Sequence, residues 1–357
     1  MRSDPADQDA GGVRSPGQPL LTIAVPTWNR DHYLERLLQV LGGELRGLPP
    51  GDVEVLICDN CSDDSTPNVV EAARQAGLPI RGVRHGENIG SDRNIAFCHN
   101  ESRGQYAWIL GDDDLPLPGA IANLLGVLRD QHPAVVYLRP FGFENDYLAE
   151  CPPTGSQCLT FAEPALFFGK VGAQITLISA IVYDHEAVCD VDAMQFCGTN
   201  LVQVNLYLLA ARARPLFVYF TGYCLAYQKV NARTIEIARV FVTNLHGILL
   251  AHEGPQQSSA LREAVERQML VQFYPQSVLL ARRAGQLDMR DERTRFRACF
   301  GHLPLYRWMI DPIFTLPKPF WLWWGFLATI GGRIIAGDLF HGLRFLRNRM
   351  RASLHGS

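Results

Sequence analysis

Residues 106–114 read Tyr106-Ala107-Trp108-Ile109-Leu110-Gly111-Asp112-Asp113-Asp114, an apolar run that ends in three adjacent carboxylates. The apolar run predicts a buried strand, with the aspartates directly after it. Because neighbouring carboxylates repel one another, a cation should compensate them. Mg²⁺ or Mn²⁺ takes oxygen ligands from one or two carboxylates and completes its shell with water and phosphate oxygens. The alternative is an acidic turn or helix N-cap, since Leu115-Pro116-Leu117-Pro118 follows.

Short apolar segments and helical segments alternate on both sides of this run. Strands are predicted at Leu21–Val25, Val53–Cys58, Ile80–Arg84, Tyr106–Leu110 and Ala134–Leu138. Helices are predicted at Tyr33–Leu41, Pro67–Ala76, Asp92–Asn100 (capped by Ser91) and Ala120–Arg129. Strict alternation predicts an α/β fold with a mainly parallel sheet and helices on both faces. Ligands of such sheets bind at the carboxyl ends of the strands, where the polar clusters of this chain fall.

The pattern changes after the fifth predicted strand. Residues 139–172 lose periodicity and gain Pro, Gly and aromatic residues, which predicts an irregular insertion over the site. A strand is predicted again at Ile175–Tyr183. Helical segments follow near Val202–Ala211, Ile235–His252 and Ser259–Arg283.

Composition indicates an ordinary globular protein. The chain has 357 residues, of which 47% are hydrophobic, and a formal net charge of −3, so no overall basic excess points to nucleic acid. Nine scattered cysteines favour a reduced, cytoplasmic protein, and the lone pair Cys58 and Cys61 has no second pair at a zinc spacing. Residues 1–20 are polar and rich in Gly and Pro, which predicts a disordered leader.

A nucleotide diphosphate would give each strand-end cluster a task. Asp59 follows the second strand, where it could accept a hydrogen bond from a base edge or a ribose hydroxyl, or simply form an Asx turn. Asn88 and Gly90 precede a predicted helix that carries Arg93. A helix N-terminus attracts anions and arginine can donate two hydrogen bonds to phosphate, although a capped surface helix is the alternative.

Four motifs, taken together and in their order along the chain, carry a family resemblance. They are Ile23–Arg30, Ile57–Ser65, Asn88–Gly90 and Leu110–Asp114. Together they resemble the ordered motifs of family 2 glycosyltransferases, which have the GT-A fold. The segments Asp92–Asn94, Trp108–Asp113 and Ile178–Val182 more narrowly resemble abequosyltransferase-like enzymes of bacterial O-antigen assembly.

The resemblance implies roles for individual residues. Binding of the nucleotide sugar would fall to Pro26, Thr27, Asn29, Arg30, Asp59, Asn88, Gly90, Arg93, Asp112 and Asp113. Asp112 and Asp114 would form the metal-binding DXD motif, with Asp114 as the direct ligand of Mn²⁺ or Mg²⁺. Such a cation would stabilise the charge that grows on the departing diphosphate.

The general base is harder to place. An inverting sugar transfer needs a base beside the acceptor hydroxyl, and family 2 enzymes usually supply it from a Glu-Asp pair. Thr199 and Asn200 stand where this pair would fall, and neither is a base at neutral pH. We favour Asp192; Asp190, a carboxylate of the insertion, a different mechanism, or a turn role for Asp192 are the alternatives.

The C-terminal tail suggests contact with a membrane. Phe320–Gly332 is uncharged, contains three tryptophans and is shorter than the roughly 20 residues that a spanning helix needs. Apolar residues continue at helical spacing to Leu346, among arginines up to Arg351. This pattern predicts peripheral contact through residues 320–351 at the cytoplasmic face of the cell membrane. A helix packed on the core or on a dimer partner is the alternative.

These observations predict four segments and one activity. The segments are a leader (1–20), a GT-A catalytic domain (21–230, with a nucleotide-binding half 21–138 and an acceptor-side half 139–230), a helical region (231–313) and an amphipathic tail (314–357). The predicted activity is metal-dependent transfer from a nucleotide-diphosphate sugar to a saccharide acceptor, linked to a polyprenyl diphosphate, in surface polysaccharide assembly. A non-catalytic sugar-nucleotide-binding subunit and a nucleotidyltransferase are the alternatives.

Overall fold

Strands and helices alternate from Leu21 onward in the computed structural model, which describes residues 17–153, 155, 157–229, 237–253, 259–285 and 288–335. The strands are β1 Leu21–Thr27, β2 Val53–Asp59, β3 Ile80–Arg84, β4 Tyr106–Ile109, β5 Leu115–Pro116, β6 Val135–Phe143, β7 Cys158–Phe161, β8 Ile181–Asp184 and β9 Phe217–Gln228. The helices are α1 Asp31–Glu44, α2 Thr66–Gln75, α3 Ser91–Glu101, α4 Ala120–Gln131, α5 Pro164–Val171, α6 Val202–Ala210, α7 Leu245–Ala251, α8 Ala260–Gln268, α9 Tyr274–Arg283, α10 Met289–Phe300, α11 Pro304–Met309, α12 Asp311–Thr315 and α13 Phe320–Ile335. Residues 1–16 of the predicted leader and 336–357 of the predicted tail lie outside the described residues.

The strands form one sheet in the order β3-β2-β1-β4-β8-β6-β9-β5, and β7 also pairs with β9. The first four strands in this order are parallel, as their alternation with helices predicts. Beyond β4 the sheet is mixed, because β8 runs antiparallel to both β4 and β6, whereas β6 and β9 are parallel. The predicted α/β fold is confirmed, with its parallel part in the half that carries the strand-end clusters.

The chain divides into two units. The first, which we call the sheet unit, holds the described residues of 1–163, 178–198 and 202–231. The second, the helical unit, holds residues 164–177 and 199–201 and the described residues from 237 onward. All nine strands belong to the sheet unit.

Alternating residues of the parallel strands bury two opposite faces. Leu21, Ile23 and Val25 of β1 lie in one core cluster with the apolar stripe of α1. The opposite face of the sheet carries Cys58 of β2, whose thiol contacts the thiol of Cys98 on α3. Helices therefore cover both faces of the parallel part, as predicted.

Three sequence predictions need correction. The predicted strand Ile175–Tyr183 is wrong over residues 175–180, most of which lie in two 3₁₀ turns at Gly172–Thr176 and Ile178–Ala180, before β8 begins at Ile181. A short apolar run does not by itself distinguish a strand from another buried segment. The predicted irregular insertion contains the end of β6, β7 and α5. Ser91 is the first residue of α3, and Gly90 is its N-cap.

The last described helix, α13, packs one face against other residues of the helical unit and exposes apolar residues on another face. Its buried residues include Gly325 and Gly332, and a Cβ at these positions would lie 2.6 Å from the Leu279 side chain and 1.8 Å from the Val271 carbonyl oxygen. Its exposed residues include Phe320, Trp323 and Leu327. None of the described helices combines the length and apolarity that crossing a membrane requires.

Two buried histidines make the sheet unit sensitive to acid. His99 Nδ1 lies 2.9 Å from the Tyr183 hydroxyl and Nε2 lies 3.1 Å from the Val191 carbonyl oxygen, which suits a neutral ring. Burial, followed by the neighbouring His185, lowers the pKa of His99 from 6.5 to about 4. Burial also lowers the pKa of His185.

We therefore expect the free energy of unfolding to decrease as the pH falls from 6.5 toward 4, because the unfolded state binds more protons in this window. The His99→Leu variant should lose about 2 kcal/mol less than the wild type over this range. Urea unfolding at several pH values measures the difference. The exposed His32 provides the control His32→Leu, and equal pH dependence of both variants would contradict the assignment.

Candidate functional site

The predicted site lies where β1, β2 and β4 end on the same edge of the parallel sheet. Pro26 and Thr27 are the last residues of β1, and Asp59 is the last residue of β2. Gly111–Asp114 follows β4 by one residue. The parallel pairing of β1 with both neighbours brings the three strand ends together.

Arg30 compensates part of the acidic cluster. Its Nη1 lies 3.0 Å from Asp112 Oδ1, and its Nη2 lies 2.5 Å from Asp113 Oδ2. The Thr27 hydroxyl donates to Asp112 Oδ2 over 2.8 Å. Arg30, in the loop that follows β1, thus supplies positive charge to these carboxylates, although the cation that the sequence predicts there is Mg²⁺ or Mn²⁺.

The positive charge of Arg30 does not cancel the effect of burial on the pKa values of these carboxylates. Burial is the main cause that raises the pKa of Asp112 to about 7, with Asp113 adding repulsion and Arg30 opposing both. Burial and then Asp113 raise the pKa of Asp114 to about 8, although Asp114 accepts hydrogen bonds from the Ser179 hydroxyl and the Gln228 backbone. A raised pKa means that the ionised form of a carboxylate is unfavourable where it stands. Binding of a further positive charge would therefore be favourable, because it would stabilise that ionised form.

The acidic cluster fits a hard divalent cation chemically. Within the described ranges, no group of three or more His, Cys, Asp or Glu side chains is arranged to hold a metal ion. Magnesium needs only one or two carboxylates when phosphate oxygens and water complete its shell. Asp112 and Asp114 are two such carboxylates at one turn, so they suit a cation that arrives with a diphosphate.

Asp59 takes the turn role, which is one of the two that the sequence left open. Its Oδ1 accepts a hydrogen bond from Ser62 N over 2.9 Å, which is the predicted turn contact. Its Oδ2 is buried and lies 3.3 Å from Arg84 Nε. A nucleotide that bound here would meet a carboxylate already oriented by the turn.

Asparagine side chains join the loops around this edge. Asn60 donates to Asn88 Oδ1 and accepts from Ile89 N, both over 2.9 Å, and Asn88 Oδ1 also accepts from Gly90 N. Asn29 has a φ of 52° and accepts from Asp63 N over 2.9 Å. The structure thus brings Asn29, Asn88 and Gly90 to the ends of β1 and β2.

The first turn of α3 lies beside these loops. Arg93 is exposed there, so its side chain is accessible to an anion. Asn94, to which the sequence motifs assign no role of its own, donates to the Cys58 carbonyl over 2.9 Å and contacts His85 Nε2 at 3.1 Å. Asn94 thereby ties the start of α3 to the end of β2.

Asp192 is not brought to the aspartate cluster. Its carboxylate caps the 3₁₀ turn Ala193–Phe196 and accepts from Asn100 Nδ2 over 2.7 Å. Asn100 lies in the last turn of α3, about 13 Å along the helix axis from Ser91 at 1.5 Å per residue. Hydrogen bonds from Asn100 and Met194 lower the pKa of Asp192. The observed contacts are those of a capping residue, and the base role of Asp192 stays a prediction that this position disfavours.

Comparison with proteins of known sequence finds a family model that matches the region of the motifs. Residues 22–181 match the family model described as "Glycosyl transferase family 2". Abequosyltransferase RfbV of Salmonella typhimurium is 34% identical over 120 residues, which are 33% of this chain and 35% of RfbV. The GalNAc(5)-diNAcBac-PP-undecaprenol beta-1,3-glucosyltransferase of Campylobacter jejuni is 26% identical over 112 residues, 30% of this chain and 34% of that enzyme. The alignments therefore span about a third of these curated relatives.

Comparison with solved structures extends over more of the chain and concerns the fold. The crystal structure of S. aureus TarS 1-349 aligns with a TM-score of 0.58 at 13% identity, covering 87% of this chain and 88% of that one. Its complex with UDP-GlcNAc aligns with a TM-score of 0.56 at 14% identity over the same shares. The fold is thus the α/β GT-A type that the motifs imply, and residues 22–181 are the part of the chain that matches the family 2 model.

Proposed function

We propose that the protein is a glycosyltransferase that moves a sugar from a nucleotide-diphosphate sugar to a hydroxyl of a lipid-linked saccharide. The observation that carries this proposal is the cluster Asp112–Asp114 at the meeting point of three parallel strand ends, inside a family 2 domain. RfbV and the Campylobacter glucosyltransferase support the same reaction class, and the name of the latter includes an undecaprenol-linked saccharide.

Each loop of the site has a task in this reaction. Asp59 and the loop that ends with Arg30 would hold the base and ribose, while Gly90 and Arg93 would offer a helix N-terminus and a guanidinium to the diphosphate. Asp114 and Asp112 would hold Mn²⁺ or Mg²⁺. When bound, such a cation stabilises the negative charge on the departing nucleoside diphosphate. Thr27 and Arg30 orient Asp112 through the bonds described above.

We propose an inverting transfer, which requires a base at the acceptor hydroxyl. Asp192 is the candidate base from the sequence. Because its observed contacts are those of a capping residue, the experiment must distinguish a base from a cap. The Asp192→Asn variant should keep transfer within about twofold if Asp192 only caps the turn, since its loss then affects stability by about 1 kcal/mol. Steady-state transfer rates separate the two roles, because loss of a general base lowers the rate by about 10²-fold or more.

A binding screen tests the proposed function. UDP-, GDP-, CDP- and dTDP-sugars are titrated into the full chain with Mn²⁺ and with EDTA. We expect at least one donor to bind at least about tenfold more tightly with Mn²⁺, as follows from a cation that bridges carboxylates and diphosphate. Binding of no sugar nucleotide would refute the proposal. Binding without donor hydrolysis or transfer would favour a non-catalytic sugar-nucleotide-binding subunit.

Arg30 provides a second test of the same site. The Arg30→Gln variant removes a guanidinium that contacts Asp112 and Asp113, so donor affinity with Mn²⁺ should fall about tenfold. The matched control is Arg46→Gln, outside the site loops. Donor affinity equal to the wild type in Arg30→Gln would show that Arg30 does not serve the site.

We further propose that α13 brings the protein to the cytoplasmic face of the cell membrane, near its lipid-linked acceptor. The exposed face of α13 carries Trp323 and Leu327, which are 65% and 60% exposed. Lysines and arginines outnumber acidic residues among the described residues of the helical unit. Exposed tryptophan together with an excess of basic residues is typical of a helix that lies in an anionic lipid interface.

The membrane proposal predicts that Trp323→Glu together with Leu327→Glu reduces sedimentation with liposomes rich in anionic lipid by about tenfold or more, because both residues would otherwise enter the interface. Leu166 is 63% exposed on α5, and Leu166→Glu serves as the control. Equal sedimentation of wild type and double variant would refute membrane contact through α13.

A further inference from the structure

Ser179 is a buried residue that contacts three positions of residues 106–114. Its hydroxyl accepts a hydrogen bond from Gly111 N over 2.8 Å and donates to Asp114 Oδ2 over 2.5 Å. Its carbonyl oxygen accepts from Trp108 Nε1 over 2.8 Å. Ser179 is fully buried in the 3₁₀ turn Ile178–Ala180, so water does not compete for these bonds.

The partners of the hydroxyl determine where its hydrogen points. A serine hydroxyl has one hydrogen and can also accept, whereas the Gly111 N–H can only donate. The hydrogen is therefore directed to the Asp114 carboxylate. When a bound cation keeps Asp114 ionised, this hydrogen bond is about twice as strong as one between neutral groups. Ser179 thus restrains the rotation of the Asp114 carboxylate relative to the backbone of Gly111.

The backbone around the aspartates depends on the same contacts. Asp114 N donates to the Gly111 carbonyl over 3.1 Å, which closes the turn, and the hydroxyl of Ser179 joins both ends of this turn. The Trp108 side chain, itself fully buried, fixes the carbonyl of Ser179. Ser179 is therefore held independently of Asp114 and can orient it.

We propose that Ser179 is a positioning residue that orients the Asp114 carboxylate for a divalent cation. This inference rests on the proposed function, in which Asp114 is a metal ligand. Residues that hydrogen-bond a ligating carboxylate prepare its orientation, and their loss costs about 10- to 100-fold in metal affinity. The role extends the site to a residue 65 positions away in the sequence.

The test measures Mn²⁺ binding by electron paramagnetic resonance, for the protein alone and with the nucleoside diphosphate that the wild type binds best. Ser179→Ala should raise the Kd of Mn²⁺ about tenfold and leave nucleotide affinity in EDTA unchanged. Ser179→Thr, which keeps the hydroxyl, should restore Mn²⁺ affinity to within about threefold of the wild type. The matched control is Ser102→Ala, because Ser102 is also buried and donates to the Cys98 carbonyl over 2.7 Å.

A double-mutant cycle separates positioning from a general effect on stability. If Ser179 acts through Asp114, adding Ser179→Ala to Asp114→Asn should change Mn²⁺ affinity by less than about twofold. An unchanged Mn²⁺ affinity in Ser179→Ala would overturn the inference and leave the proposed function intact. A full tenfold effect in the Asp114→Asn background would also overturn it. A wild type that does not bind Mn²⁺ would refute the proposed metal dependence itself.

Discussion

The Asp114→Asn variant should lose sugar transfer by about 10³-fold while its fold stays intact. The expected loss corresponds to about 4 kcal/mol of transition-state stabilisation, the scale of a metal contact to a leaving diphosphate. Asp114 is 5% exposed, and replacing a buried carboxylate by a neutral amide removes a desolvation cost. The melting temperature should therefore equal or exceed that of the wild type, which excludes unfolding as the cause of lost activity.

Initial rates of transfer and donor titrations with Mn²⁺ measure this effect. Asp130→Asn is the matched control, because Asp130 is an exposed aspartate near the end of α4. Donor affinity in EDTA should be similar in both variants, since the cation is absent. Transfer by Asp114→Asn within about tenfold of the wild type would refute the proposed metal-ligand role of Asp114, since loss of a metal ligand costs several kcal/mol.

The Trp108→Ala variant should lower the free energy of unfolding by about 3–5 kcal/mol. Trp108 is fully buried in the hydrophobic core cluster that also contains Leu21, Ile23 and Val25, so its removal leaves a large cavity. It also leaves the Ser179 carbonyl without its donor. Trp108→Phe keeps most of the volume and should cost about 1–2 kcal/mol.

Urea denaturation followed by circular dichroism gives both values. Trp28 is 41% exposed in the loop after β1, and Trp28→Ala should change the free energy of unfolding by about 0.5 kcal/mol or less. Comparable destabilisation of Trp108→Ala and Trp28→Ala would contradict the packing described here.

Much of the parallel half was predictable from the sequence. The predicted strand Ile80–Arg84 has the bounds of β3, and the predicted Ala120–Arg129 helix differs from α4 by two residues at its end. Hydrophobic periodicity and turn residues act over short distances, so they are readable in one sequence. The segment Ile175–Tyr183 shows where this signal fails, because its apolar run lies mostly in 3₁₀ turns.

The sequence by itself determined the alternation of strands and helices and the placement of polar clusters at the ends of β1, β2 and β4. Only the tertiary structure decided which of these side chains meet: Arg30 reaches Asp113 across 83 positions, Ser179 reaches Asp114 across 65, and Asp192 caps a turn beside the far end of α3. The physical reason is the distance along the chain over which each effect acts. Propensity and periodicity depend on near neighbours along the chain, whereas these hydrogen bonds depend on how strands distant in sequence pair in the sheet.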